Sequence, residues 1–156
     1  MKFKITQQLA CSPEKYWDLV DSEAFIEHFE ERADTALSVD REGIHKRLTY
    51  TSRGELPAIM QKALGIERME YEEYHDVDRE NHRNTWEVET PFMTDRVKAW
   101  GTTRLEATDE GCRRTVEGTV EIKMAVVGKK MSEKFGQRLE MAHRVRGEVV
   151  EILLGQ

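Results

Sequence analysis

The hydrophobic period of the chain changes at one point near the C-terminus. Between 116 and 126 every second residue is apolar or small, which predicts a half-buried strand. After Gly128, apolar residues recur every three or four positions: Met131, Phe135, Leu139, Ala142, Val145, Val149 and Ile152. This stripe predicts an amphipathic helix over 129–154, roughly 39 Å long at 1.5 Å per residue. A helix of this length needs a large apolar surface to cover.

The preceding segments supply such a surface. Alternating strand-like segments occur at 3–9 and repeatedly between 44 and 126, and two short helices are expected between Ser12 and Phe29. Strands joined by short turns form an antiparallel meander with one apolar face, and only the last helix is long enough to cover that face. We therefore predict one α+β domain over residues 1–156. A curved antiparallel sheet of about seven strands wraps around the long C-terminal helix, with two short helices after the first strand.

Composition and charge exclude several classes of function. The net charge of −6 argues against nucleic-acid binding, which requires a basic face. No apolar run approaches the roughly 18 residues of a membrane-spanning helix, so we expect no integral membrane association. The first residues lack the apolar stretch of a signal peptide, and a cytoplasmic location is expected.

Cysteines and histidines indicate neither a metal site nor a nucleophile. Cys11 and Cys112 match no zinc spacing and have no basic surroundings that would activate a thiol. The five histidines show no metal-ligand spacing, and only His143 lies beside the helical stripe. We expect no metal, no cofactor and no catalytic residue of these types, with His143 as either a ligand contact or a residue at the core edge.

The inner face of the sheet mixes long side chains with glycines such as Gly101 and Gly118. Small residues opposite long ones leave volume under a curved sheet, which favours an internal cavity for an apolar ligand. The alternative is that the helix fills this volume. The predicted cavity residues are Tyr50, Met60, Leu64, Met69, Tyr71, Trp86, Val88, Met124, Phe135, Leu139 and His143, with Met60 and Leu64 at the mouth.

Two features of the sequence do not fit a purely apolar internal cavity. The stretch 67–76 carries five acidic residues, most of which we expect to face outward, because an inward carboxylate needs a partner. Trp100 has the outward parity of its strand, which predicts a partner surface, a bulge or a shifted register.

Segment 12–21, Ser-Pro-Glu-Lys-Tyr-Trp-Asp-Leu-Val-Asp, followed by Phe25 and Phe29, resembles the opening of the START-like superfamily of polyketide cyclases and lipid-transport proteins (SRPBCC). Segments 56–65 and 126–131 look like an uncharacterised bacterial branch of it. The resemblance implies the helix-grip fold also seen in birch-pollen allergens. It also implies that Cys11 and Cys112 lie close together. Such proximity permits a disulfide between them, although a cytoplasmic setting would keep both reduced.

Three functions follow as hypotheses. The favoured one is non-catalytic binding, sequestration or transport of a hydrophobic small molecule, lipid or polyketide-like. The second is a polyketide cyclase or dehydratase, for which Tyr50, Tyr71 and Arg104 are the candidate acids or polarising groups. The third is a protein-interaction module or homodimer that uses Trp100 and a sheet edge. Fold alone does not rank them.

Overall fold

The structure is a computed structural model that describes residues 1–92, 94–126 and 128–156. Its elements are β1 (Lys2–Leu9), α1 (Pro13–Val20), α2 (Glu23–Ala33), β2 (Thr35–Glu42), β3 (His45–Ser52), α3 (Ala58–Leu64), β4 (Glu70–Asp78), β5 (Arg83–Glu89), β6 (Val97–Thr108), β7 (Gly111–Ile122) and α4 (Gly128–Leu154).

The seven strands form one antiparallel sheet in the order β1-β7-β6-β5-β4-β3-β2. Strands β2 to β7 follow one another as a meander, and β1 pairs with the last strand, so that Phe3 lies opposite Gly118. Buried and exposed residues alternate along most strands, because only one face of the sheet is covered. The predicted α+β helix-grip architecture is confirmed.

Helices α1 and α2 are the two predicted short helices; they connect β1 to β2, and each begins at a serine cap. The Ser12 hydroxyl accepts a hydrogen bond from the Lys15 backbone N–H at 3.2 Å, and Ser22 does the same for Phe25 at 3.2 Å. Helix α2 ends at Asp34, whose φ of 49° is left-handed and turns the chain into β2. These two helices therefore close one end of the space between the sheet and α4.

Helix α4 covers the inner face of the sheet and begins one residue before the predicted start. Its stripe from Met131 to Val149 is buried, whereas Ile152 is partly exposed. Strand β1 lies very close to α4, since a Cβ on Gly147 would come within 1.9 Å of Oε1 of Gln7. A glycine at this position therefore permits direct contact between the helix and the first strand.

The space over the two sheet glycines is occupied by large side chains. A Cβ on Gly101 would lie 2.2 Å from Cζ2 of Trp86, and one on Gly118 would lie 2.4 Å from Cζ of Phe3. The expected volume at these glycines is thus filled by Trp86 and Phe3 from neighbouring strands. Filling by strand side chains differs from both sequence alternatives, an open cavity and filling by the helix.

Candidate functional site

A carboxylate lies at the centre of the covered face of the sheet. Glu73 has the inward parity of β4, between Tyr71 and His75, and all three side chains are buried. Its Oε2 lies 2.8 Å from Nε2 of His143 on α4, and its Oε1 lies 3.4 Å from Nε2 of His75. The expectation that most acidic residues of this stretch face outward does not extend to Glu73. The requirement that an inward carboxylate has partners is met.

The hydrogen bonds and the burial of this cluster indicate which of its groups carry protons. Asn84 donates from Nδ2 to Nδ1 of His75 at 2.7 Å, so the His75 proton is on Nε2, facing Glu73. Burial lowers the pKa of His75 to about 4 and also lowers the pKa of His143. Burial raises the pKa of Glu73. The electrostatic attraction between His143 and the carboxylate and the hydrogen bonds from both imidazoles outweigh this effect, and they hold the pKa of Glu73 well below its usual value. At neutral pH an ionised Glu73 therefore accepts hydrogen bonds from two neutral rings.

A buried cation accompanies this anion. Arg146 of α4 donates from Nη1 to the Tyr50 hydroxyl at 3.2 Å, and its guanidinium lies over the Phe25 ring, 5.3 Å from the centroid. Burial and the charge of Glu73 raise the pKa of Tyr50 well above its usual value, so this hydroxyl stays protonated. The cluster thus contains one carboxylate, one guanidinium and a neutral phenol.

His143 retains one nitrogen for further chemistry. Its Nδ1 is buried and has no hydrogen-bond partner among the described residues. The Trp86 ring stacks on the imidazole at a centroid distance of 4.5 Å. A neutral imidazole whose Nε2–H is held by a carboxylate has a proton-accepting Nδ1, which is the arrangement of a general base.

Stacked aromatic rings connect this cluster to the first turns of α4. Tyr50 stacks on Tyr71 at a centroid distance of 4.8 Å, and Tyr71 meets Phe135 edge-on at 5.6 Å. Phe135 lies one helical turn after Met131, on the same face of α4. The apolar stripe of the helix therefore runs from the buried cluster towards its own N-terminal end.

An open groove lies at that end, between α3 and α4. Its volume is about 210 Å³, and the described residues that line it are Pro57, Ile59, Met60, Ala63, Lys130, Met131 and Lys134. Ile59 is 74% exposed, an unusual degree for a large aliphatic side chain. Apolar side chains thus form the body of this groove, and two lysines complete it.

Most of the predicted cavity residues lie in the packed core. Those that are buried are Tyr50, Leu64, Met69, Tyr71, Trp86, Val88, Phe135, Leu139 and His143, while Met60 and Met124 are partly exposed. The structure brings His143 into the polar cluster and Met60 into the groove. Arg104 lies exposed on the outer face of β6, away from the cluster, so this structure gives no support to its suggested role as a polarising group.

Several buried polar residues of the interior were not among the site residues predicted from the sequence. They are Lys46, Glu73, His75, Asn84, Arg114 and Arg146. Arg114 donates from Nε to the Tyr16 hydroxyl at 3.0 Å and from Nη1 to the backbone carbonyl of His143 at 2.9 Å, which fixes this turn of α4. Strand parity was the available signal, because Tyr71, Glu73 and His75 occupy alternate positions of β4.

Three further expectations concern positions outside the cluster. Cys11 and Cys112 are buried free thiols that interact with each other, as the resemblance implied. Trp100 lies on the outer face of β6 with 41% of its surface exposed. Among the described residues, none of the helices is both long and apolar enough to cross a bilayer.

Comparisons with known proteins place the chain in a family and a fold. The family described as "Protein of unknown function (DUF2505)" matches residues 4–152. No curated protein matches the sequence.

Solved structures share the architecture at low sequence identity. TTHA0849 from Thermus thermophilus is 17% identical with a TM-score of 0.69, covering 97% of this chain and 94% of that one. The Zhui aromatase/cyclase from Streptomyces sp. R1128 is 12% identical with a TM-score of 0.67, covering 96% and 90%. Norcoclaurine synthase from Thalictrum flavum is 18% identical with a TM-score of 0.64, covering 100% and 87%. The chain therefore belongs to the DUF2505 family, and it has the helix-grip fold that these solved structures share.

Proposed function

We propose that this protein binds an apolar small molecule without covalent chemistry, and that the groove between α3 and α4 is where the molecule binds. The observation that carries the proposal is the apolar lining of this groove, formed by Ile59, Met60, Ala63 and Met131. Met131 also belongs to the buried stripe of α4, so a bound chain extends the core of the protein outward. Structures of this fold include proteins named as an aromatase/cyclase and a synthase, which is consistent with a small-molecule ligand.

The size of the groove limits the ligand. At about 210 Å³ it is smaller than the roughly 300–1,000 Å³ of most small-molecule sites, so it accommodates a short chain or one end of a longer molecule. Each buried methylene contributes about 0.8 kcal/mol, from which the cost of association is subtracted. An eight-carbon chain therefore gains at most about 6 kcal/mol before that cost, so we expect dissociation constants in the millimolar range or weaker.

The test is a titration with octan-1-ol followed by ¹H–¹⁵N NMR. Resonances of residues 57–63 and 130–134 are expected to shift, because these segments line the groove. Ala63→Trp fills the groove from an exposed position and should weaken binding at least about tenfold. Ala107→Trp places the same ring at an exposed position on β6 and is the matched control. Equal binding by the Ala63→Trp variant, or no binding by the wild type, would contradict the proposal.

A second candidate is acid–base catalysis of the cyclase type. The observation that favours it is the unpartnered Nδ1 of His143, whose Nε2–H is held by Glu73 at 2.8 Å. A base of this kind abstracts a proton next to a carbonyl group, and the Tyr50 hydroxyl near Glu73 stays protonated.

The test of this candidate is deuterium incorporation next to the carbonyl of a medium-chain methyl ketone in D₂O. Wild-type protein is expected to accelerate the exchange, while His143→Gln abolishes the acceleration with the fold retained. An exchange rate equal to that of the buffer alone would exclude the catalytic role for this class of substrate.

A further inference from the structure

Two lysines form the polar part of the groove between α3 and α4. Lys130 and Lys134 are four residues apart, so they lie on the same face of α4, and both line the groove. Among the described residues, neither has a carboxylate within 4.0 Å, and the described lining contains no acidic residue. Two like charges at this spacing are mutually unfavourable, and an anion placed between them removes the repulsion.

The groove therefore combines two distinct surfaces within one small volume. Met60, Ala63 and Met131 offer an apolar wall, and the two ammonium groups offer positive charge beside it. An uncharged apolar ligand leaves this charge unused. A ligand with an apolar chain and an anionic end is complementary to both surfaces.

We propose that the groove takes a single-chain amphiphilic carboxylate, with its chain against Met60, Ala63 and Met131 and its carboxylate between Lys130 and Lys134. This inference rests on the proposed function, because it names the class of molecule that the same groove binds. A carboxylate is the simplest such head group, since it accepts hydrogen bonds from two ammonium groups at once.

The experiment compares octanoate with octan-1-ol, which has the same chain and no charge, in titrations of the wild-type protein at pH 7.5. Octanoate is expected to bind at least about threefold more tightly than octan-1-ol, because its carboxylate makes two exposed charge contacts with the lysines. Its affinity should fall with added salt, whereas that of octan-1-ol should not. Lys130→Gln/Lys134→Gln should lower the octanoate affinity to that of octan-1-ol and leave octan-1-ol unaffected.

The control is Lys98→Gln/Lys123→Gln, which removes the same charge from exposed positions outside the groove. This variant is expected to bind both probes as the wild type does. Equal affinities of octanoate and octan-1-ol for the wild type would overturn the carboxylate proposal and leave the proposed function standing. Failure of both probes to bind would overturn the proposed function together with this inference.

A membrane surface is the other partner with this chemistry, because Ile59 and Val126 are strongly exposed. The same wild-type protein is therefore sedimented with phosphatidylglycerol vesicles, with and without octanoate. Sedimentation that octanoate does not reduce would show that the lysines serve a bilayer and would overturn the proposal. Protein that stays in the supernatant supports the free amphiphile.

Discussion

The Glu73 carboxylate and the His143 imidazole form a buried hydrogen bond of 2.8 Å between residues 70 positions apart. It joins the middle of β4 to the middle of α4, next to the hydrogen bonds that connect Arg146 to Tyr50 and Arg114 to the His143 carbonyl. A carboxylate in such surroundings is tolerated only while its partners remain in place. The pair therefore makes the docking of α4 dependent on a specific alignment with β4.

Removal of Glu73 is expected to destabilise the fold strongly. Glu73→Ala leaves the Nε2–H groups of His75 and His143 without acceptors and Arg146 without its nearby anion, so we expect a loss of about 3 kcal/mol in the free energy of unfolding. Urea denaturation followed by circular dichroism measures this loss.

The control for Glu73 is Glu87→Ala, at an exposed position on the neighbouring strand β5. Its free energy of unfolding should stay within about 0.5 kcal/mol of the wild type. Similar stabilities for the two variants would show that the buried cluster contributes nothing to the docking of α4.

The architecture was predictable because it depends on two hydrophobic periods. A period of two before Gly128 and a period near 3.6 after it predict a sheet and one long helix, and Gly128 is where α4 begins. The burial of residues in turns was less predictable. Ile44 has inward parity with Leu48, yet it lies in the turn between β2 and β3 and is 60% exposed. Parity carries no information beyond the end of a strand.

The candidate site was predictable only in part, because a pattern gives the side of a residue and not its partners. The inward parity of Glu73 is visible in the sequence, but its pairing with His143 depends on how α4 lies across the sheet. Likewise, the small size of Gly118 is visible, while its filling by Phe3 depends on the pairing of the first strand with the last. Such contacts arise from tertiary packing between distant segments.

Acid is expected to destabilise the protein through His75. The pKa of this ring is about 4 in the folded protein, against an ordinary value of 6.5, because burial disfavours its charged form. Between these pH values the unfolded chain binds more protons than the folded one, so stability decreases as the pH falls from 6.5 towards 4. The full difference corresponds to about 3 kcal/mol.

Urea midpoints between pH 7.5 and 4.5 measure this dependence. His75→Gln lacks the titrating ring and should show a flatter profile, although it is less stable at pH 7.5. His45→Gln changes an exposed histidine of β3 and should keep the wild-type slope. A wild-type slope in the His75→Gln variant would contradict the assignment of this pH dependence to His75.

Asp21 is expected to keep a buried lysine charged. Its carboxylate lies 2.8 Å from Nζ of Lys46 and also pairs with Arg41 and Arg79. Burial lowers the pKa of Lys46 to about 8, and the Asp21 charge opposes that shift. Asp21→Asn should therefore lower the pKa of Lys46 further and destabilise the protein by about 2 kcal/mol at pH 7.

The pKa of Lys46 in the Asp21→Asn variant can be followed by NMR of the lysine side chains, together with thermal unfolding. Asp40→Asn, which breaks the exposed pair with Arg47, is the control and should leave both quantities near the wild-type values. An unchanged pKa of Lys46 would show that burial alone sets its charge.

Gly118 is expected to be required because Phe3 occupies the position of its missing side chain. A Cβ at residue 118 would lie 2.4 Å from Cζ of Phe3 and 2.9 Å from Cη2 of Trp86, so Gly118→Ala should destabilise the protein by about 2 kcal/mol. Gly54→Ala is the control, since a Cβ there meets no atom within 4 Å. Its effect should stay within about 0.5 kcal/mol.

A smaller residue at position 3 should relieve this clash. The double variant Phe3→Leu/Gly118→Ala is expected to lose less stability than the sum of the two single variants, by about 1 kcal/mol, because leucine lacks the ring atoms that the new methyl group meets. The free energies of unfolding of the wild type, the two single variants and the double variant measure this interaction as a double-mutant cycle. Strict additivity would mean that Gly118→Ala acts through the backbone of β7, and that Phe3 does not set the requirement for glycine.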